Sequence, residues 1–335
     1  MKVLVTGGSG FLGSHIIEQL REQGHQARSM ARSPQPELEA RGVETIKGDI
    51  CSEQDAARAV KGCDAVIHTA AMVGAWGKED QFFKVNVEGT RVMLKAAREA
   101  GIERFVFTSS PSVVFDGTPL INAGPETPYP TSFPTPYAST KAESERVALA
   151  ADDPAGMRVT ALRPQLMWGP GDPHLLPMLM KKAEAGKLRV VGDGKARVDI
   201  TYIDNAARAH LDALDALGKP AGEDHPGGKA YFISNGEPVE LWSWISALMK
   251  QMGAPAPGGA VPRQAAWLAG WATEVFWSLL GKQEDPPLTR YVALKMSTDQ
   301  YYDLEPARRD LGYVPSISME EGLQRLLEDR ATTSG

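Results

Sequence analysis

Tyr137 and Lys141 stand four residues apart in a segment of helical pattern, so a phenol and an ammonium share one helical face. Such a pair can serve carbonyl chemistry. Reducing a ketone needs a hydride donor on one face of the carbonyl and a proton donor at its oxygen, and a tyrosine can be that donor. An ordinary tyrosine, with a pKa of about 10, must become roughly a thousandfold more acidic to work near neutrality, which is about 4 kcal/mol of differential stabilisation. A neighbouring ammonium and a cationic cofactor ring are the means available. Tyrosine and lysine often meet at this spacing by chance, and alone the pair reads as a surface contact. Its weight comes from the elements placed before it, among them a strand that ends in Ser109 and Ser110.

The first of those elements is the N-terminus. Met1 to Thr6 is a short apolar run of strand type, Gly7-Gly8-Ser9-Gly10-Phe11-Leu12-Gly13 breaks it, and a helical pattern begins at Ser14. Gly7 permits the tight turn, Gly10 lets the backbone approach a pyrophosphate, and Gly13 lets the helix pack closely. Backbone N–H groups and the helix dipole then face the phosphates. His25 to Ala31 reads as the second strand. Where a dinucleotide fold places an acidic residue for the ribose hydroxyls, this chain has Ala31-Arg32, and an arginine suits a 2′-phosphate. NADP is therefore expected over NAD. Val43 to Lys47 is the third strand, followed by Asp49, whose carboxylate could reach the adenine amine. Asp64 to His68 is the fourth, ending in Thr69-Ala70-Ala71, small enough for close backbone approach. His68 lacks companions at ligand spacing and is expected to be packed or hydrogen-bonded, so no metal site is expected. A helix from about Asp80 to Ala100 and a fifth strand, Arg104 to Thr108, complete a βαβ rhythm that means a parallel sheet.

A Pro- and Gly-rich loop, Pro111 to Pro136, then delivers Tyr137, and a loop of that length is expected to be functional. Arg158 to Pro164 is a sixth strand, Trp168 to Pro173 a rigid turn, and Val198 to Asn205 leads into a helix. Lys229 to Ile233 is another strand, helical patterns dominate from Leu241, and the tail from Ala331 to Gly335 is expected to fray. The expected architecture is α/β, a Rossmann-type doubly wound parallel sheet with a smaller, mostly helical C-terminal part. Residues 1–165 would form the dinucleotide-binding domain, with about 198–235 returning to it, and 166–330 the substrate-binding region. Trp267 to Leu280 is apolar at helical spacing but too short to span a bilayer comfortably. It is expected to close over the substrate region, with contact to a membrane face or a partner enzyme as the other reading.

A chain of 335 residues and net charge −6, with its charges interspersed, has no basic stripe for nucleic acid. Two cysteines, Cys51 and Cys63, fit a reducing compartment rather than a disulfide framework. No basic and apolar leader precedes the first strand, so the cytoplasm is the expected location.

Taken together, Thr6 to Gly13, Asn86-Val87-Glu88-Gly89-Thr90, Tyr137 to Lys141, Arg163-Pro164 and Thr201-Tyr202-Ile203-Asp204-Asn205 resemble the extended short-chain dehydrogenase/reductases, and within them the 3β-hydroxysteroid dehydrogenase branch. Gly74 to Gly77, Trp168 to Pro173, Phe232 to Pro238 and Pro286 to Arg290 narrow the likeness to bacterial reductases of 2-alkyl-3-oxo acids in long-chain olefin biosynthesis. The resemblance implies a catalytic Ser110, Tyr137 and Lys141, with Ser110 preferred over Ser109 by its place relative to the strand end. Tyr137 would be the acid–base residue, Lys141 would lower its pKa and hold the nicotinamide ribose, and Ser110 would orient the carbonyl. The cofactor-binding set it implies is Gly7, Gly10, Phe11, Leu12, Gly13, Arg32, Asp49, Ile50, Ala70, Asn86, Tyr137, Lys141 and Pro164. NADPH-dependent reduction of a hydrophobic 2-alkyl-3-oxo acid to the 2-alkyl-3-hydroxy acid is the expected reaction, in a homodimer. The alternatives are a 3β-hydroxysteroid or sterol-4-carboxylate 3-dehydrogenase, a nucleotide-sugar epimerase or dehydratase, and a non-catalytic NADP-binding regulator.

Overall fold

The computed structural model describes residues 1–220, 222, 224–282 and 284–333. Seven strands form the main sheet: β1 (Lys2–Thr6), β2 (Gln26–Ala31), β3 (Glu44–Lys47), β4 (Ala65–His68), β5 (Arg104–Thr108), β6 (Arg158–Pro164) and β7 (Ala230–Ile233). Their spatial order is β7-β6-β5-β4-β1-β2-β3, and every pair is parallel. A strand buried on both faces must be apolar throughout, and Val3, Leu4 and Val5 are all fully enclosed. The strand period splits them: Val3 and Val5 face one core layer with Ile16 and Ile17, Leu4 the other with Met30 and Phe105. The strand order reverses between β1 and β4. A crevice opens there at the C-terminal strand ends, the place where such sheets bind ligands.

Five helices matter for the site: α1 (Phe11–Glu22), α2 (Pro136–Leu149), α3 (Ile203–Ala216), α4 (Arg263–Leu279) and α5 (Arg290–Lys295). The Thr201 to Asn205 motif opens α3 and locks the second half of the chain to the sheet. Asn205 accepts the N–H groups of Ser316 and Ile317 and donates to Ile317 O, while Asp204 bonds His15 on α1 at 2.7 Å.

The expected helical stretch over about Asp80 to Ala100 runs as Glu79–Phe82, a π-helical turn Phe83–Glu88 and Gly89–Glu99. The wide turn falls on Asn86, whose carboxamide is engaged with the neighbouring loop. The loop from Pro111 to Pro136 is also more ordered than expected. It contains the 3₁₀ turn Pro111–Val114 and a strand, Leu120–Ala123, that pairs with Gln300–Tyr302 in a second, four-stranded sheet. Asn122 at φ 49 and a register shift beside Tyr302 interrupt that strand, so it carries no alternating pattern.

α4 is docked by its small residues. Ala266 and Gly270 are its buried residues, Thr273 donates to Leu288 O and Glu274 pairs with Arg290, so only a narrow side is docked. Leu268, Trp271, Val275, Phe276 and Leu279 are exposed on the other side. No helix among the described residues is long and apolar enough to cross a membrane. Of the tail expected to fray, Ala331 to Thr333 belong to the helix Met319–Thr333, and Ser334 and Gly335 lie outside the described residues. Glu223, between α3 and β7, lies outside them too.

Candidate active site

The glycine turn follows the geometry its spacing demands. Gly7, at φ 70, donates to Met30 O, and a side chain there would press on Ala70. A Cβ on Gly13 would fall 2.3 Å from Gly7 O and 2.7 Å from Gly8 Cα, so the first turn of α1 packs directly on the turn backbone. That helix has no side-chain cap and no acid in its first turn, which leaves the N–H groups of Phe11, Leu12 and Gly13 for an anion. Gly10 is exposed at its mouth. Beside it a cavity of about 580 Å³ runs past Ser9, Gln35 and Arg41.

Arg32 lies exposed just past β2 and has no ion-pair partner among the described residues. Arg28, in the same strand, is buried and bonded to Glu44 and to the carbonyls of Ala59 and Lys61. Asp49 is exposed and turns Oδ1 onto the Cys51 N–H. Ile50 is packed beneath Gly89, Ala70 donates its N–H to Thr6 Oγ1, and Pro164 ends β6, buried. Asn86 has a bracing place: its oxygen accepts from Met72 N at 2.7 Å, and its nitrogen donates to Met72 O and Thr140 Oγ1. His68 is packed against Phe107 and bonded to Thr6 and Thr90; burial drives its pKa down to about 3.

Thr135 caps α2 by accepting the Ala138 N–H, and Pro136 occupies its first turn, which fixes where Tyr137 emerges. Lys141, one turn on, is buried. Its Nζ donates to Thr108 O at 2.6 Å and lies 4.1 Å from the Phe107 ring centre. Ser110 caps the 3₁₀ turn after β5 and accepts from both the N–H and the hydroxyl of Ser112. With those acceptor sites filled, its own proton is free, and its hydroxyl is the group that pulls the Tyr137 phenol down. The structure thus brings Ser110, Tyr137 and Lys141 together at the end of β5. Ser109 faces the other way, among the groups that hold the Glu145 carboxyl down.

The electrostatics differ from the expectation in one respect. Burial pushes the Tyr137 phenol up, and the group that pulls it down is the Ser110 hydroxyl, not Lys141. Burial has itself lowered the Lys141 pKa to about 7, opposed by Glu145, so much of the amine is uncharged at neutral pH.

Sequence reasoning did not find the support beneath this helix. Glu145, one turn beyond Lys141, accepts a buried two-point ion pair from Arg163 at 2.9 and 2.6 Å and a hydrogen bond from the half-buried Tyr129 at 2.6 Å. Its spacing from Lys141 was the available signal, since position 145 repeats the inward face of α2.

This arrangement can polarise a carbonyl, deliver a proton to its oxygen and hold a dinucleotide along α1. The sequence profile of the 3-beta hydroxysteroid dehydrogenase/isomerase family matches residues 4–262. The chain belongs to that family. It is a nicotinamide-dependent oxidoreductase of the extended short-chain type. Among its relatives, a 2-alkyl-3-oxoalkanoate reductase of Stenotrophomonas maltophilia is 48% identical across 97% of this chain and 98% of its own. A decarboxylating sterol-4-alpha-carboxylate 3-dehydrogenase of Mus musculus is 33% identical across 98% of this chain and 90% of its own. The solved structure of MoeE5 with UDP-glucose and NAD superposes with a TM-score of 0.74 over the full length of both chains at 23% identity, a likeness of fold. The family membership accords with the strand order.

Proposed function

We propose that this family member reduces the 3-oxo group of a long-chain 2-alkyl-3-oxo acid to the 2-alkyl-3-hydroxy acid with NADPH. The substrate class rests on one observation, the 48% identity to a relative of that name across nearly the whole of both chains. NADPH supplies the hydride when bound. Ser110 holds the carbonyl oxygen and Tyr137 gives it a proton, a division of labour supported by the pull of the Ser110 hydroxyl on the phenol. Lys141, fixed on Thr108 O, takes the nicotinamide ribose. Gly7, Gly10 and the N–H groups of Phe11, Leu12 and Gly13 receive the pyrophosphate, and Arg32 the 2′-phosphate. Asp49 and Ile50 border the adenine, with Ala70 and Pro164 close to the cofactor backbone and Asn86 bracing the loop above it.

The sterol relative favours a second reading, oxidation of the 3-hydroxyl of a sterol 4-carboxylate, which gives the same β-oxo acid pattern in the opposite direction. A consumption panel separates them: NADPH and NADH, each with a long-chain 2-alkyl-3-oxo acid, a 3-oxosteroid and a nucleotide sugar. The alkyl-oxo acid should consume NADPH fastest. Turnover confined to the steroid or the sugar overturns the proposal, and tight NADPH binding without turnover of any ketone would leave a non-catalytic regulator.

A further inference from the structure

Lys295, the last residue of α5, is a half-buried amine without a counter-ion. No acidic side chain among the described residues pairs with it; Nζ donates to the neutral amide oxygen of Gln300 and lies 4.8 Å from the centre of the Phe115 ring. Burial has lowered its pKa to about 7. An ammonium in such a place bears a desolvation cost that one neutral amide does not offset, so packing alone gives no reason for the charge.

Its surroundings lead to the reacting centre. Tyr291 and Lys295 are four apart on α5 and share a face, the spacing that Tyr137 and Lys141 have on α2. Phe115 joins both: Tyr291 meets it edge-on at 6.2 Å between ring centres, and Lys295 covers its face. Phe115 in turn closes the 3₁₀ turn that Ser110 opens. Tyr291 stands near enough to Tyr137 for one phenolate to oppose ionisation of the other. Ser110, Tyr137, Tyr291 and Lys295 are each half-buried.

We propose that Lys295, one helical turn from Tyr291, is an anion subsite of the cleft around Tyr137 and receives the carboxylate of the 3-oxo acid that Ser110 and Tyr137 reduce. The inference rests on the reductase reading above. A 2-alkyl-3-oxo acid has a single charged group, one carbon removed from its reacting carbonyl. A cation on the wall of the same cleft therefore selects the acid over the matching neutral ketone. Pairing supplies the counter-charge that Lys295 lacks.

The test compares Lys295→Met and Lys295→Arg with the unaltered enzyme on two substrates of equal chain length, the 2-alkyl-3-oxo acid and its methyl ester. Lys295→Met should raise KM for the acid about tenfold or more with kcat little changed, leave the ester unaffected, and be largely rescued in Lys295→Arg. Equal losses on both substrates, or no change on either, overturn the subsite. Calorimetric binding of the 2-alkyl-3-hydroxy acid against its methyl ester gives a readout that needs no turnover. An enzyme that binds the acid through Lys295 but reduces no oxo acid retains the subsite and loses the reductase reading; equal binding of acid and ester overturns the subsite.

Discussion

Lys141 donates its Nζ to Thr108 O at 2.6 Å, so the lysine that shares a helical face with Tyr137 is tied to the strand end from which Ser110 departs. Thr108 is held from the opposite direction as well, because its hydroxyl bonds His210 Nε2 at 2.8 Å. Tyr137, Ser110 and the buried amine are thus referred to one point of the sheet. Precision of that kind matters for a proton transfer that requires hydrogen-bond reach.

Tyr137→Phe keeps the ring that packs on Phe82 and removes only the hydroxyl. NADPH consumption should fall at least about a hundredfold, the usual weight of a positioned acid, while the dissociation constant for NADPH, followed by fluorescence, stays within about threefold. Ser110→Ala should also slow turnover and, because Ser110 is what pulls the phenol down, move the pH profile of kcat to higher pH. Retention of most activity in Tyr137→Phe would remove the acid–base assignment.

The buried ion pair between Arg163 and Glu145 ties α2 to β6. Truncating one partner leaves an uncompensated charge in the core. Glu145→Leu should therefore lower the unfolding free energy by about 3–5 kcal/mol, and the double variant Glu145→Leu with Arg163→Met should recover part of it. Denaturant unfolding of the two singles and the double gives the coupling. Losses that simply add would mean that the two residues do not act as a pair.

What the sequence made legible follows from how locally each signal was written. The glycine turn, the strand ends and the Tyr137–Lys141 spacing are set by residues within a few positions of one another, and they emerged as read. Glu145, Tyr129 and Arg163 meet across separations of 16 and 18 residues, and Lys295 meets Phe115 across far more, so no short window holds those partnerships. The docking of α4 was hidden for a related reason: Gly270 admits the backbone of Thr289 and Arg290, which lie well outside the helix's own window.

Arg32 supplies the cofactor prediction. It is exposed at the end of β2 where no carboxylate stands, so Arg32→Asp should reduce the preference for NADPH over NADH by about tenfold or more, through loss of a charge-assisted contact and gain of a repulsive one. The ratio of kcat/KM for the two cofactors measures it. An unchanged ratio, or an unaltered enzyme that prefers NADH, would move the recognition of the 2′-phosphate elsewhere.

His68 and His210 are buried as neutral rings, with pKa values lowered to about 3 and about 4 by desolvation. His210 Nδ1 lies on Ala206 O, which must accept, so Nε2 is the bare nitrogen that receives the Thr108 hydroxyl proton. Protonating it would break that bond. Because the unfolded chain takes up these protons near the ordinary histidine pKa and the folded chain only well below it, stability should fall as pH drops below about 6.5 and go on falling until the folded values are reached. Lys141 works in the same direction at higher pH. Its folded pKa of about 7 lies below its ordinary value of 10.5, so its penalty is complete below pH 7 and is relieved as pH rises toward 10.5. Thermal unfolding from pH 4 to 10 should show stability rising with pH through both windows wherever other groups do not titrate. His210→Gln, whose side chain does not titrate, should flatten the acid limb, and Lys141→Met the alkaline one. An acid limb left unchanged by His210→Gln would mean that other groups carry the acid sensitivity.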